Sequence, residues 1–233
     1  MEPGSSGALD RIGAAAGIAA VALLLALFMV FPTIPAPNKG IDAIARSATT
    51  DRGPHLLAAY VGTLMGGALL VFGVCVAAAL RRRDKRGDGW WLLALAGITV
   101  AGATGIVADA LVVVLVRAVG HGVGGDALWL AYGGDHWLGA LMGVPIAIFL
   151  LGVGMGSRTT RLVPRWQSWA AIALAAAFTL GAGSVTGDEV DGGPLGVVLL
   201  VGYVGLLVWI VAVSVVLWRK AQGERVVVAP SPA

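Results

Sequence analysis

Three ionisable residues lie inside long apolar segments of the chain, where charge is costly. Asp109 lies inside an apolar run that begins at Trp90, and Asp135 and His136 lie together in the next apolar run. A carboxylate in a hydrocarbon layer costs about 2.5–3.5 kcal/mol on insertion scales, so acids of this kind are usually functional. These three residues are therefore the first candidates for chemistry.

The two acids are predicted to lie at the same depth. Residues 117–127 form a Gly-rich turn between the two runs, with Asp109 eight residues before it and Asp135 eight residues after it. With helical rise, each lies about 12 Å from the turn. Two carboxylates in a dry site cannot both ionise cheaply, so we expect them to share a proton and His136 to relay it. Tyr132 is the fourth residue of this predicted polar pocket.

The same acids also fit a purely structural role. Each could be hydrogen-bonded to a neighbouring helix through Tyr132, Thr104 or Ser184 and act as a polar lock within a bundle. Two other histidines, His55 and His121, are candidate gates for a pocket. A histidine in a Gly-rich turn, such as His121, is more often a solvated loop residue.

The pattern predicts neither a metal site nor a cofactor. Neighbouring residues on a helix point about 100° apart, so Asp135 and His136 cannot easily bind one ion. A haem would need two axial histidines at one level, whereas His55 begins its helix at the surface and His136 lies about 12 Å deeper. Cys75 is the only cysteine, which excludes an intramolecular disulfide and a cysteine-based metal site.

The composition places the chain in a membrane. Of its 233 residues, 58% are hydrophobic and 12% are charged, compared with roughly 25% charged residues in soluble domains. The net charge is +3, but the positive residues lie between apolar segments and do not form a face with interleaved aromatics. The sequence therefore predicts no nucleic-acid partner.

Six apolar segments are long enough to cross a hydrocarbon core of about 30 Å as helices. They span residues 12–31, 55–80, 90–116, 128–156, 166–186 and 195–218. We predict an all-α bundle of six transmembrane helices, with residues 1–10 and 219–233 as terminal tails. Residues 39–50 place Ile44 and Ala48 at helical spacing among charged residues. This pattern predicts a short amphipathic helix that lies on the outer surface of the membrane.

The charged residues predict the orientation of the bundle. Four positive residues lie in the first, third and fifth connections, and twelve lie in the tails and the other connections. The positive-inside rule then puts both termini in the cytoplasm of a multi-pass plasma-membrane protein. The same side gathers most of the tryptophans, which prefer the membrane interface: Trp90, Trp91, Trp166, Trp169 and Trp218.

Two short motifs carry a resemblance to a known group of proteins. The first helix begins with Arg11-Ile12-Gly13-Ala14-Ala15-Ala16-Gly17, and the fifth opens with Leu162-Val163-Pro164-Arg165-Trp166-Gln167-Ser168-Trp169. With six spans and a bias towards Ala, Gly, Val and Arg, the chain resembles uncharacterised six-helix integral membrane proteins of bacteria, of an actinobacterial type. The resemblance implies a membrane bundle and assigns no functional residues.

Three classes of function fit this pattern. We favour a non-enzymatic membrane protein that binds or transports a small molecule or protons through an outward-facing polar pocket. One alternative is a structural or regulatory subunit whose polar residues only lock helices together. Another is a membrane-embedded enzyme that uses the buried Asp and His residues as acid and base. Expected partners are membrane lipids, the ligand or protons, and a second copy of the chain or another membrane protein.

Overall fold

Helices account for the regular structure of the chain. The computed structural model describes residues 4–35, 39–119, 121, 125–186 and 193–227, and within these residues it has eight α-helices and no β-strand. The helices are α1 Gly4–Val30, α2 Ile41–Thr50, α3 Arg52–Arg83, α4 Trp90–Val119, α5 Gly125–Leu141, α6 Gly143–Thr160, α7 Arg165–Ala182 and α8 Pro194–Val227. The predicted all-α fold is confirmed.

Six helical segments of the described residues are long and apolar enough to cross a membrane. They are Gly7–Val30, Arg52–Arg83, Trp90–Val119, Gly125–Thr160, Arg165–Val185 and Pro194–Gln222. The protein is therefore a multi-pass membrane protein, as predicted. Helical structure extends into both predicted tails, because α1 begins at Gly4 and α8 continues to Val227. The tails were predicted to begin where the apolar segments end, and a helix can continue beyond its apolar residues. Residues 228–233 of the predicted C-terminal tail lie outside the described residues.

The six spans pack as a ring in chain order. α1 packs against α3, α3 against α4, α4 against the α5–α6 segment, α6 against α7, α7 against α8, and α8 returns to α1. Short connections between antiparallel helices favour this arrangement. The start of α1 and the end of α8 meet, since the Arg11 guanidinium donates to the Ala221 carbonyl at 3.2 Å. We call this the basic end of the bundle; it also holds the α3–α4 and α6–α7 connections.

An indole occupies the middle of the ring. Trp209 of α8 is 2% exposed, and its ring meets the edges of Phe72 and Phe149 at centroid distances of 6.4 and 6.2 Å. Its Nε1 donates to the backbone carbonyl of Gln167 at 3.0 Å, which satisfies the polar atom of a buried side chain. Phe72 and Phe149 each follow a similar sequence, Gly-Thr-Leu-Met-Gly and Gly-Ala-Leu-Met-Gly. These two segments of similar sequence therefore each place a phenylalanine edge-on to the Trp209 ring.

Glycines bring α4 and α6 into backbone contact. A Cβ atom on Gly152 would lie 2.5 Å from the nitrogen of Ala94 and 2.9 Å from the carbonyl oxygen of Trp90. A Cβ atom on Gly97 would lie 2.7 Å from the carbonyl oxygen of Pro145. In lipid, helices associate through close packing of this kind, because apolar surface gains little by leaving one hydrocarbon environment for another.

The connection between α3 and α4 is held by one carboxylate at the basic end. Asp84 accepts hydrogen bonds from the backbone amides of Gly87, Asp88 and Gly89 at 2.9–3.2 Å. Gly87 and Gly89 both adopt a φ of 73°, which favours glycine. The amide of Gly89 and its neighbours hold the pKa of Asp84 below its usual value. The turn is therefore retained at neutral pH and loses these bonds only as the pH falls through that lowered pKa.

The short helix α2 confirms the predicted helix over residues 39–50, but its apolar face is covered by protein. Ile44 and Ala48 are fully buried. Ile44 packs with Leu115 of α4 and Leu128 of α5 in a second, smaller core. The helix therefore covers the ends of α4 and α5, because their side chains provide a closer apolar contact than disordered lipid.

Gly152→Ala is expected to lower the free energy of unfolding by about 1–3 kcal/mol, because the added Cβ meets backbone atoms of α4 that cannot move aside. Thermal unfolding in detergent, followed by tryptophan fluorescence, measures this loss. Gly66→Ala is the matched control, since no described atom lies within 4 Å of a Cβ there. Equal unfolding temperatures for the two variants would contradict the close contact between α4 and α6.

Candidate functional site

The carboxyl group of Asp109 lies against the backbone of the neighbouring helix α3. A Cβ atom on Gly62 would lie 2.5 Å from Asp109 Oδ1, so the missing side chain leaves the space that the carboxyl group occupies. The hydroxyl of Thr63 lies 3.2 Å from Asp109 Oδ2 and 3.1 Å from the Ala59 carbonyl oxygen of its own helix, so its single proton is shared between these two acceptors. Asp109 therefore joins α4 to α3.

Thr63 was not among the predicted partners of the acids. Thr104 was, but its hydroxyl bonds to the Val100 carbonyl of its own helix at 2.9 Å. A signal for Thr63 was present in the sequence. It lies twenty residues before the end of α3, and Asp109 lies nineteen residues after the start of α4. Counting residues from the basic end therefore places Thr63 and Asp109 at one level, just as counting from the Gly-rich turn places Asp109 and Asp135 at one level.

Asp135 lies on α5, almost level with Asp109. The antiparallel register is given by two contacts: Met142 lies against Gly105, and Leu111 lies against Gly134. This register puts Asp135 about two residues, or roughly 3 Å along the axis, farther from the basic end than Asp109. The two acids therefore lie at nearly one depth on adjacent helices. Among the described residues, neither forms an ion pair with Lys or Arg.

The other two predicted pocket residues lie on the same helix as Asp135. Tyr132 is buried in the smaller core beneath α2, with Leu115 and Leu128. The half-buried ring of His136 lies 6.3 Å from the Tyr132 ring, measured between centroids. Tyr132, Asp135 and His136 therefore occupy about one turn of α5, and Tyr132 is the nearest of the three to the cover that α2 provides.

The two candidate gates do not join the carboxyl pair. His55 is buried, and its Nε2 lies 3.1 Å from the hydroxyl of Ser47, so it links α2 to the start of α3. It lies eight residues from Thr63 on the same helix, about 12 Å along the axis. His55 lies near the start of α3 and is buried because α2 folds over it. His121 is exposed, and its backbone amide donates to Ala118. A gating role for either histidine stays a prediction.

The predicted fourth span, residues 128–156, is not one continuous helix. α5 ends at Leu141 and α6 begins at Gly143, with Met142 between them. Pro145 accounts for the break, because it has no N–H to donate to the Leu141 carbonyl and its ring crowds that carbonyl. The sequence contains this signal, a proline inside an apolar run, which the length criterion alone does not detect.

A tyrosine of α8 donates a hydrogen bond to the backbone next to this break. The hydroxyl of Tyr203 donates to the backbone carbonyl of Gly139 at 3.1 Å, and its ring packs edge-on against Phe178 at 5.0 Å. Irregular backbone at membrane depth is tolerated where it is buried in protein or lines a cavity. Tyr203 was not predicted as a site residue, because nothing in the sequence relates α8 to the break.

The described residues contain no group of three or more His, Cys, Asp or Glu residues that could hold a metal ion. The site is therefore defined by a carboxyl pair beside an interrupted helix in a multi-pass membrane protein. Compared with protein-family models, curated proteins and solved structures, the chain matches none of them. The resemblance to six-helix bacterial membrane proteins stays a prediction.

Thr63→Val is expected to lower the free energy of unfolding by about 0.5–1.5 kcal/mol, because it removes the hydrogen bond between α3 and Asp109 while keeping the shape of the side chain. Thr104→Val is the matched control, since that hydroxyl bonds only to its own helix among the described residues. Thermal unfolding in detergent compares the two. A loss no larger for Thr63→Val than for Thr104→Val would contradict the interhelical bond.

Proposed function

We propose that the protein binds or transports protons or a small molecule through a polar pocket in the half of the bundle away from the basic end. Asp109 and Asp135 are its central residues, with His136 and Tyr132 beside them. The observation that carries the proposal is the pair of acids on adjacent helices, nearly level and without a cationic partner among the described residues. An unpaired carboxylate in a dry site is strongly unfavourable, so it gains by taking up a proton or a cationic group.

The interrupted helix supports transport in preference to binding alone. Secondary transporters often place their sites near the bilayer midplane, at discontinuous helices. The break at Met142 lies seven residues from Asp135, about 10 Å along the axis. A helix that already lacks a hydrogen bond there can bend at lower cost than a continuous one, which is what alternating access to the acids requires.

The proposed orientation puts the basic end in the cytoplasm and the pocket on the outer side of a plasma membrane. The distribution of twelve positive residues against four supports it. So do the exposed indoles of Trp166, Trp169 and Trp218, which lie towards the basic end as an interfacial belt would. In this orientation α2 lies at the outer surface, over the predicted pocket.

A structural or regulatory subunit is the second candidate. The hydrogen bond between Thr63 and Asp109 favours it, because that bond joins two helices whether or not the site carries a ligand. A membrane-embedded enzyme stays a third prediction. Turnover of a lipid-like substrate that depends on Asp109 would support it, whereas no described contact favours it over the other two.

Asp109→Asn and Asp135→Asn are each expected to abolish transport while leaving the bundle folded, because an amide keeps the shape of a protonated acid and cannot exchange a proton. The measurement is proton flux into liposomes that contain the purified protein and an internal pH-sensitive dye. It is made under an imposed membrane potential, alone and with small cationic and neutral solutes.

Asp126→Asn is the matched control for this experiment, since Asp126 is exposed in the first turn of α5 and lies nine residues from Asp135. It should retain the wild-type flux. If the wild-type protein shows no more flux than the two pocket variants under any of these conditions, transport is contradicted. If the pocket variants then also unfold at a lower temperature, the structural candidate takes its place.

A further inference from the structure

A large cavity at the basic end is lined by positive charge. Its volume is about 1200 Å³, and it lies between the α6–α7 connection, the start of α4 and the end of α8. Four of the lining residues are cationic: Arg158, Arg161, Arg165 and Lys220. None of the lining residues is acidic, and within the described part of the chain none of these four forms an ion pair.

Two of these cations are held in place by the surrounding structure. The Arg158 guanidinium lies over the Trp169 ring, 4.5 Å from its centroid, which orients the planar group without neutralising it. Lys220 Nζ donates to the carbonyls of Arg161 and Leu162 at 3.3 and 2.6 Å, which fixes the connection between α6 and α7. The cationic groups are therefore partly organised before any ligand binds.

A buried hydroxyl at the cavity also calls for a partner. It lies at the end of α6, where Arg161 is the left-handed C-cap with a φ of 53° and its amide donates to the Ser157 carbonyl at 2.8 Å. Ser157 lines the cavity, and its buried hydroxyl makes no hydrogen bond with any described residue. A buried hydroxyl without a partner is rare in native proteins and indicates an unseen ligand or water.

The cavity wall is suited to an amphiphile. Met155 and Val216 contribute apolar surface next to the cations, and the half-buried Trp90 also lines the cavity. Free phosphate would use the cations and leave the apolar wall empty. A phospholipid would use both, because its headgroup carries the negative charge and its acyl chains lie along the helices.

We propose that this cavity binds the phosphate headgroup of an anionic membrane lipid from the leaflet at the basic end. The site is separate from the pocket around Asp109 and does not depend on the function proposed for that pocket. Basic pockets between transmembrane helices are suited to anionic headgroups, and arginine is suited to phosphate because it can donate two parallel hydrogen bonds. The exposed side chains of Arg158 and Arg165 provide the donors.

The positive-inside rule explains why cations lie at this end, but it does not explain their arrangement. Topology requires only that Lys and Arg lie near the ends of the spans, and Lys85 and Arg86 in the α3–α4 connection meet that requirement without lining this cavity. An arginine stacked on an indole also occurs outside the cavity, where Arg81 lies over the Trp91 ring at 5.0 Å. Four cations around one cavity and a buried hydroxyl without a partner among the described residues are not needed for topology. They distinguish the cavity from a generally basic surface.

The experiment titrates the purified full-length protein in neutral detergent with dioleoyl phosphatidylglycerol and follows the unfolding temperature. A lipid that binds the folded state raises this temperature in a saturable way. Dioleoyl phosphatidylcholine and sodium phosphate are the comparison ligands. We expect saturable stabilisation by phosphatidylglycerol alone, and a half-saturating lipid fraction at least about tenfold higher for Arg158→Gln/Arg165→Gln.

Arg81→Gln/Arg219→Gln is the control for this loss of charge, since it removes two exposed cations from the same end that line neither this cavity nor the smaller one beside it, which Lys85 and Arg86 line. It should change the half-saturating fraction by less than about twofold. Equal effects of the two double variants, or equal stabilisation by phosphatidylcholine, would overturn the proposal. Stabilisation by sodium phosphate alone would assign the cavity to free phosphate and would also overturn it.

A second pair of variants keeps the proposal testable if the arginine double variant does not fold. Trp169→Leu removes the ring that supports Arg158, and Trp218→Leu removes an interfacial indole of similar exposure elsewhere at the same end. Trp169 is a positioning residue in this account. The half-saturating fraction of phosphatidylglycerol should rise for Trp169→Leu and not for Trp218→Leu, and equal values would contradict the proposal.

Discussion

The close antiparallel packing of α4 against α3 on one side and the α5–α6 segment on the other is the constraint on which the candidate pocket depends. Gly97 and Gly152 allow backbone contact between α4 and α6, and Gly62 leaves room for the Asp109 carboxyl group against α3. In lipid, such contacts replace the hydrophobic effect as the source of helix association. They also fix the register, so the depth of both acids follows from the same packing that stabilises the bundle.

Polar groups at membrane depth are then satisfied by neighbours that this register supplies. Thr63 reaches Asp109 across the α3–α4 contact, and Tyr203 reaches the carbonyl of Gly139 where Pro145 interrupts the helix. Each of these bonds joins elements that are distant in the chain. The acids and the break therefore belong to one stretch of the bundle.

The sequence was sufficient for the spans and for the depth of the acids, because both depend on local apolar length and helical rise. It was not sufficient for the partners. Thr63 belongs to α3, whereas counting from the Gly-rich turn covers only α4 and α5. Tyr203 belongs to α8, which neighbours α7 and α1 in the ring and is not next to the α5–α6 segment. The break at Met142 carried a local signal in Pro145. The basic cavity did not, because Arg158, Arg161 and Arg165 also fit a role in topology.

The central claim is that Asp109 and Asp135 act as one proton-binding unit. Infrared titration of the protonated-carboxyl stretching band tests it most directly, in the wild type and in the two single Asn variants. The account predicts that the pair keeps one proton near neutral pH and that replacing either acid changes the titration of the other. A wild type without that band near neutral pH, or an Asn variant that leaves its partner's titration unchanged, would contradict the claim.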